Sequence, residues 1–159
     1  VQEVKAGVLV VDDDRCLREL LEEAIKDWGY TVSTAKTGEE ALESISKKDF
    51  KIVVCDLKMP GMDGLELLKG IKDSGKKVHV IVITGYATLD TVVKSIEAGA
   101  FDFITKPFRL DELRRIMRKA GPSVGKGARR KRLFDKLNKA YGRLDVLRAI
   151  QRNRLDELG

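Results

Sequence analysis

Three consecutive carboxylates, Asp12, Asp13 and Asp14, stand directly behind the apolar run Val8 to Val11. Like charges packed side by side repel one another. A hard divalent cation reverses that balance, because Mg²⁺ selects oxygen ligands, keeps several of its waters and needs only one or two carboxylates. Asp56, in VVCDLKMPGMDG, follows a second apolar run and precedes a loop holding Pro60, Gly61 and Gly64. Those residue types let the backbone turn sharply and leave the carboxylate free to be exposed. Such a carboxylate is a nucleophile for phosphorus, giving an aspartyl phosphate. Lys106 offers an ammonium group and Thr84 a hydroxyl donor for phosphoryl oxygens, and neutralising that charge is most of what phosphoryl transfer demands of a protein.

These groups meet only if the chain brings them to one edge. Val8 to Val11, Ile52 to Cys55 and Val78 to Ile83 are nearly continuous apolar, β-branched runs, the pattern of strands buried on both faces. Thr31 to Thr34 and Phe101 to Thr105 are weaker runs that complete a set of five. Amphipathic stretches lie between them, the clearest placing Leu17, Leu20, Leu21, Ala24, Ile25 and Trp28 on one helical face. Gly29 stops that helix, and Thr37 with Glu40 three residues on starts the next as a capping box. Strand and helix alternating five times predict an α/β fold with a parallel sheet covered on both faces. In such sheets ligands bind beyond the carboxyl ends of the strands. Asp12 and Asp13 follow the first strand, Asp56 the third and Lys106 the fifth, while Thr84 ends the fourth. Five such placements are hard to obtain from capping needs alone.

Other polar residues have simpler readings. Asp14 is a helix cap, Asp63 a loop residue, and His79 a structural residue ahead of a core strand. Phe101 is core. Cys16 and Cys55 lack metal-ligand spacing and are read as small core hydrophobes. At 159 residues, 43% hydrophobic and 35% charged, the chain has room for one well-buried domain and a short appendage. It has no apolar run near the roughly 20 residues of a membrane span and no signal peptide, so a cytoplasmic location is expected.

VLVVDDD, DLKMPGMDG, VITGYA and GAFDFITKPF together resemble the receiver domain of bacterial two-component response regulators, over residues 7 to about 119. The resemblance implies a flavodoxin-like five-stranded parallel sheet of order 2-1-3-4-5. It implies that Asp56 is the phosphoacceptor and that Asp12 and Asp13 form an acidic pocket. Mg²⁺ is then held by Asp13, Asp56 and the backbone carbonyl of Lys58, with Asp12 acting through water. Thr84 and Lys106 contact the phosphoryl group, and the Lys106–Pro107 peptide is cis. A sensor histidine kinase donates the phosphoryl group, and the receiver catalyses only its own phosphorylation and dephosphorylation. Thr84 then moves toward the phosphate and Phe103 rotates inward, remodelling the face made by the fourth helix, fifth strand and fifth helix. Gly85 leaves room for the phosphodonor. Lys58 and Tyr86 flank the path of a hydrolytic water, and neither is suited to orient it, so the aspartyl phosphate should last minutes or longer.

The last part of the chain has a different character. Residues 1–118 hold 19 Lys/Arg and 21 Asp/Glu, whereas residues 119–159 hold 12 and 4. Gly121, Pro122, Gly125 and Gly127 mark the seam, giving a receiver over 1–120, a linker over 121–128 and a basic helical extension over 129–159. Leu133, Leu137, Leu144 and Leu147 have near-heptad spacing with Ala140 between them, interrupted by Gly142. One long helix, or two bending at Gly142, fits this pattern, packing on the receiver or on a second copy to serve dimerisation or connection. Dimerisation through the face of the fourth helix, fifth strand and fifth helix is an alternative. The run Arg129 to Arg132 could contact DNA phosphates, though no base-reading pattern follows. The tail is too short for a winged-helix output domain. Receivers preceding ATPase modules of enhancer-binding activators, or associated with sensor kinases, are more similar, and a chain starting at Val1 fits a piece of something longer with an output domain missing. A remote alternative is an Mg²⁺-dependent phosphatase whose Asp-x-Asp motif would be Asp12 and Asp14.

Overall fold

The computed structural model describes residues 7–85, 88–120 and 126–158. Five parallel strands, β1 (Gly7–Val11), β2 (Thr31–Ala35), β3 (Ile52–Cys55), β4 (His79–Thr84) and β5 (Asp102–Thr105), form one sheet of order β2-β1-β3-β4-β5. The alternation along each strand divides the core. Val8, Val10, Ile52, Val54, Ile81, Ile83 and Ile104 face α1 (Arg15–Asp27) and α5 (Leu110–Lys119). Leu9, Val11, Val53, Cys55, Val80, Val82 and Phe103 face the other way, toward α2 (Gly38–Lys47), α3 (Gly64–Asp73) and α4 (Leu89–Glu97). Burial on both faces explains why β1, β3 and β4 read as nearly unbroken apolar runs.

Local signals set the helix ends. Asp14 caps α1 by accepting from the amides of Cys16 and Leu17. Gly29, with φ at +97°, follows the helix in a conformation that glycine adopts without strain. Thr37 accepts from the Glu40 amide, but the Glu40 carboxylate returns to the amide of Lys36 rather than to that of Thr37. Asp63, read as a loop residue, caps α3. Two expectations about α1 fail: Cys16 is exposed, and so is Leu20 at 50%. Both lie on the outward side of the helix, whose buried stripe narrows to Leu21 and Ile25 with Leu17 and Trp28 at its margin.

The extension is a helical hairpin, and a single long helix does not form. α6 (Lys126–Tyr141) begins inside the expected linker, and Gly142, with φ at +92°, separates it from α7 (Arg143–Leu158). Residues 121–125, including Gly121, Pro122 and Gly125, lie outside the described residues. Leu133 and Leu137 of α6 and Val146 and Ala149 of α7 are buried in the α4 side of the receiver core. A fully buried leucine stabilises by about 1.5 to 3 kcal/mol. Leu144 and Leu147 point away, 62% and 52% exposed, so the near-heptad set is divided between two faces. Among the described residues, no helix is long and apolar enough to cross a membrane.

Candidate functional site

The carboxyl ends of β1 and β3 lie side by side because these strands are neighbours at the point where strand order reverses, and the Lys106 side chain reaches them from the end of β5. Asp12 continues β1, and its amide donates to the Ala35 carbonyl at 3.2 Å. Its backbone carbonyl accepts from Arg18 at 2.9 Å, a nearly buried guanidinium that sequence reasoning did not single out. Asp56 continues β3, its amide donating to Val11 at 3.3 Å. The turn beyond Asp56 closes on Gly64, whose amide donates to Leu57 at 2.9 Å. A Cβ on Gly64 would lie 2.5 Å from the Asp56 carbonyl oxygen, so only glycine permits this close approach of α3 to the site.

Lys106 spans the two carboxylates. Its Nζ lies 2.7 Å from Oδ2 of Asp56 and 3.5 Å from Oδ2 of Asp12. The other Asp56 oxygen accepts from the Lys58 amide at 3.0 Å, and Oδ1 of Asp12 accepts from the Asp14 amide at 2.9 Å. Lys106 is itself tied back through its amide to the Thr84 carbonyl at 2.9 Å, and the Lys106–Pro107 peptide is cis, as the resemblance implied. Thr84 is buried at the end of β4, opposite Thr105 in the register. A Cβ on Gly85 would make ordinary van der Waals contact with Lys106, at 3.6 Å from its Cβ.

Burial and charge work against one another here. Asp56 is 7% and Asp12 3% exposed, less than a fully exposed nucleophile, because the loop from Lys58 to Pro60 walls the site. Burial raises the Asp12 carboxyl above its ordinary value, outweighing the Asp14 amide and the charge of Lys106. Burial also opposes the charge on Lys106, but its hydrogen bond to Asp56 and the two carboxylate charges outweigh that and hold its pKa above the usual lysine value. Behind the site, burial pushes the Cys55 thiol up to about 12, with help from Asp56 and Asp12, so it stays protonated and inert.

The carboxylates and the lysine line a cavity of about 450 Å³ together with Asp13, Lys58, Met59 and Pro60. Among the described residues, no group of three or more His, Cys, Asp or Glu side chains could by itself hold a metal. The donor chemistry nevertheless fits Mg²⁺, which takes one or two carboxylates and fills its remaining positions with water or ligand oxygens. Exposed Asp13 and the inner Asp56 carboxylate reach the same cavity.

Phe103 lies on β5, 5% exposed, three residues before Lys106. Tyr86 lies outside the described residues. His79 opens β4 and packs edge-on against Phe101 at 4.8 Å, in line with a structural role for both. The basic run is partly spent on the receiver: Arg130 pairs with Glu97 at 2.7 Å and Arg132 donates to the Phe101 carbonyl at 3.1 Å. Those two guanidiniums are engaged within the chain rather than presented together for a phosphate backbone.

The response regulator receiver domain family matches residues 8–118. The transcriptional regulatory protein ZraR of Klebsiella oxytoca is 39% identical over 116 residues, covering 73% of this chain and 26% of the relative. The DNA-binding transcriptional regulator NtrC of Escherichia coli is 42% identical over 113 residues, covering 71% of this chain and 24% of the relative. The chain therefore spans about a quarter of the length of these curated relatives. Among solved structures, NtrX from Brucella abortus superposes with a TM-score of 0.68 at 36% identity, over 72% of this chain and 26% of that one.

Proposed function

The chain belongs to the response regulator receiver family, and from that premise we propose that Asp56 accepts a phosphoryl group from a phosphohistidine of a sensor kinase. The observation that carries this reading is the placement of one ammonium, Lys106, between two buried carboxylates that line one cavity. The Lys58 amide and the Lys106 ammonium each hold one Asp56 oxygen, so the carboxylate is oriented before the donor arrives. An Asp56 oxygen bonds to phosphorus as the bond from phosphorus to the histidine nitrogen breaks. The electron pair leaves with the imidazole. Lys106 and the Thr84 hydroxyl then meet the phosphoryl oxygens, and the new hydrogen bonds bias the packing around β5. Asp13, Asp56 and the Lys58 carbonyl would hold Mg²⁺, with Asp12 through water. When bound, the ion supplies positive charge against the transferred group.

The chemistry proposed for the receiver is its own phosphorylation and dephosphorylation, in a cytoplasmic regulator. Incubation with acetyl phosphate and Mg²⁺ tests this directly: the intact mass rises by one phosphoryl group, mapped to Asp56. Absence of the adduct overturns the proposal.

Three further outcomes are expected. Mg²⁺ raises the melting temperature saturably, because it binds the native site and not the unfolded chain. Asp13→Asn weakens that binding by at least about tenfold, the lower end of what losing even an outer-sphere partner costs; an unchanged titration would remove Asp13 from the ligand set. The aspartyl phosphate, followed by mass after the donor is removed, decays over minutes or longer, since the Lys58 side chain brings no carboxyl or carboxamide to orient water. Decay in seconds would point to an orienting group elsewhere.

A further inference from the structure

Strand β5 is an edge strand, paired only with β4, and the carbonyls on its outer side face α6. Open edges are normally blunted or covered. Here the cover is specific. Arg132 donates to the Phe101 carbonyl at 3.1 Å with its guanidinium 5.0 Å from the centre of the Phe101 ring. One helical turn later, Lys136 donates to the Phe103 carbonyl at 2.8 Å and to Asp102 Oδ1 at 3.0 Å, with its ammonium 4.4 Å from the centre of the Phe103 ring. The spacing is matched: four residues of helix rise about 6 Å, and two residues of strand advance about 6.6 Å. The two basic side chains therefore meet Phe101, just ahead of β5, and Phe103 within it, two residues apart, in a single register.

Resting on the proposed phosphorylation of Asp56, we propose that the α6–α7 hairpin is an intramolecular cover of the α4–β5 face, that Lys136 senses the position of Phe103, and that loading Asp56 loosens the hairpin. The connection runs along one short strand. Lys106, directly after β5, is held by Asp56 and Asp12 while the site is unmodified, and Phe103, three residues earlier within β5, is held under Lys136. A phosphoryl group takes Lys106 away from the bare carboxylate. A shift of β5 or of the Phe103 ring in response costs the Lys136 contacts, since a cation over a ring and a bond to the adjacent carbonyl cannot both follow a rotated side chain. A docked hairpin in turn disfavours that shift, because coupling between two sites is reciprocal.

The cover is built to be released. Its remaining polar ties to the receiver, Arg130–Glu97, Arg152–Asp90 and Lys94–Asp156, sit on the surface, where ion pairs contribute little. Among the described residues, the buried side-chain polar atom without a partner is Nε of Arg132, at the heart of the latch. An unsatisfied buried donor weakens the docked state. The buried residues Leu133, Leu137, Val146 and Ala149 supply the attraction that the polar latch gives direction.

Hydrogen exchange of the whole chain, with Mg²⁺ and with or without beryllium fluoride, tests the coupling. Binding at Asp56 is read independently from the fluorine resonance of the bound ligand. Loading accelerates exchange of amides in 129–149 by about fivefold or more, the lower range of allosteric coupling. Lys136→Met accelerates the same amides without ligand and tightens beryllium fluoride binding by a comparable factor, while Lys136→Arg restores both. Unchanged or slowed hairpin exchange on a loaded site overturns the inference and leaves phosphorylation standing. The inference also fails if Lys136→Met frees the hairpin but leaves beryllium fluoride affinity unaltered. If no ligand binds at Asp56, the phosphoacceptor reading falls and the coupling falls with it.

Discussion

Asp56→Asn abolishes acquisition of the phosphoryl group from acetyl phosphate, a loss of at least about a thousandfold when the group forming the covalent bond is removed. The fold survives, because the asparagine side-chain oxygen still accepts from the Lys58 amide and the change removes one of the site's two buried like charges, leaving Asp12. The melting temperature therefore holds or rises while labelling disappears. Intact-mass spectrometry and a thermal melt on the same sample check both halves. Residual labelling carried by Asp12 would reassign the nucleophile to the Asp-x-Asp pattern of a phosphatase. Residual labelling elsewhere would leave the cavity without its assigned role.

Lys106→Met strikes the site and the fold together. Removing a preorganised positive charge from a phosphoryl-transfer site slows reaction by about a hundred- to a thousandfold. It also leaves the Asp12 and Asp56 carboxylates buried and uncompensated, at a cost of about 1 to 3 kcal/mol for a partly solvated pair. The pH dependence has a definite sign. The Asp12 carboxyl lies above its ordinary value through burial, and loss of Lys106 raises it further. A carboxyl with a native pKa above its unfolded value holds its proton more tightly when folded, so the variant recovers stability as pH falls through that native value. At the alkaline end, the parent loses the contribution of Lys106 as pH rises through that residue's raised native pKa. The stability gap between parent and variant is therefore widest at neutral pH and closes on both sides. Urea unfolding across the range measures it, and a gap independent of pH would show that packing, not charge, is what Lys106 provides.

The basic tail shows where a pattern in the chain stops short of a structure. Leu133, Leu137, Leu144 and Leu147 share a spacing that serves a coiled coil or a docked hairpin equally well. Gly142 separates the two outcomes by adopting φ of +92° and turning the chain back on itself. Two leucines then enter the receiver core and two remain outside. Cys16 and Leu20 misled for a related reason: their place in a helical period does not say how wide the buried stripe is, and the neighbouring strand and helix decide that.

The amino-acid sequence by itself determined the five-stranded parallel sheet and the meeting of Asp12, Asp56 and Lys106 at one edge. Both follow from short-range features, unbroken β-branched runs that only a doubly covered sheet can bury, with polar residues placed at the ends of those runs. Only the tertiary structure decided the depth at which Asp56 lies, the closeness that Gly64 permits, the support of Asp12 by Arg18 and the grip of Lys136 on Phe103. Those depend on groups brought together from far along the chain: Lys136 meets Asp102 across 34 positions and Lys106 meets Asp56 across 50. A lysine in a basic helix has the same local pattern whether it faces water or an edge strand, and its partner is fixed only when the hairpin finds the surface that buries its leucines.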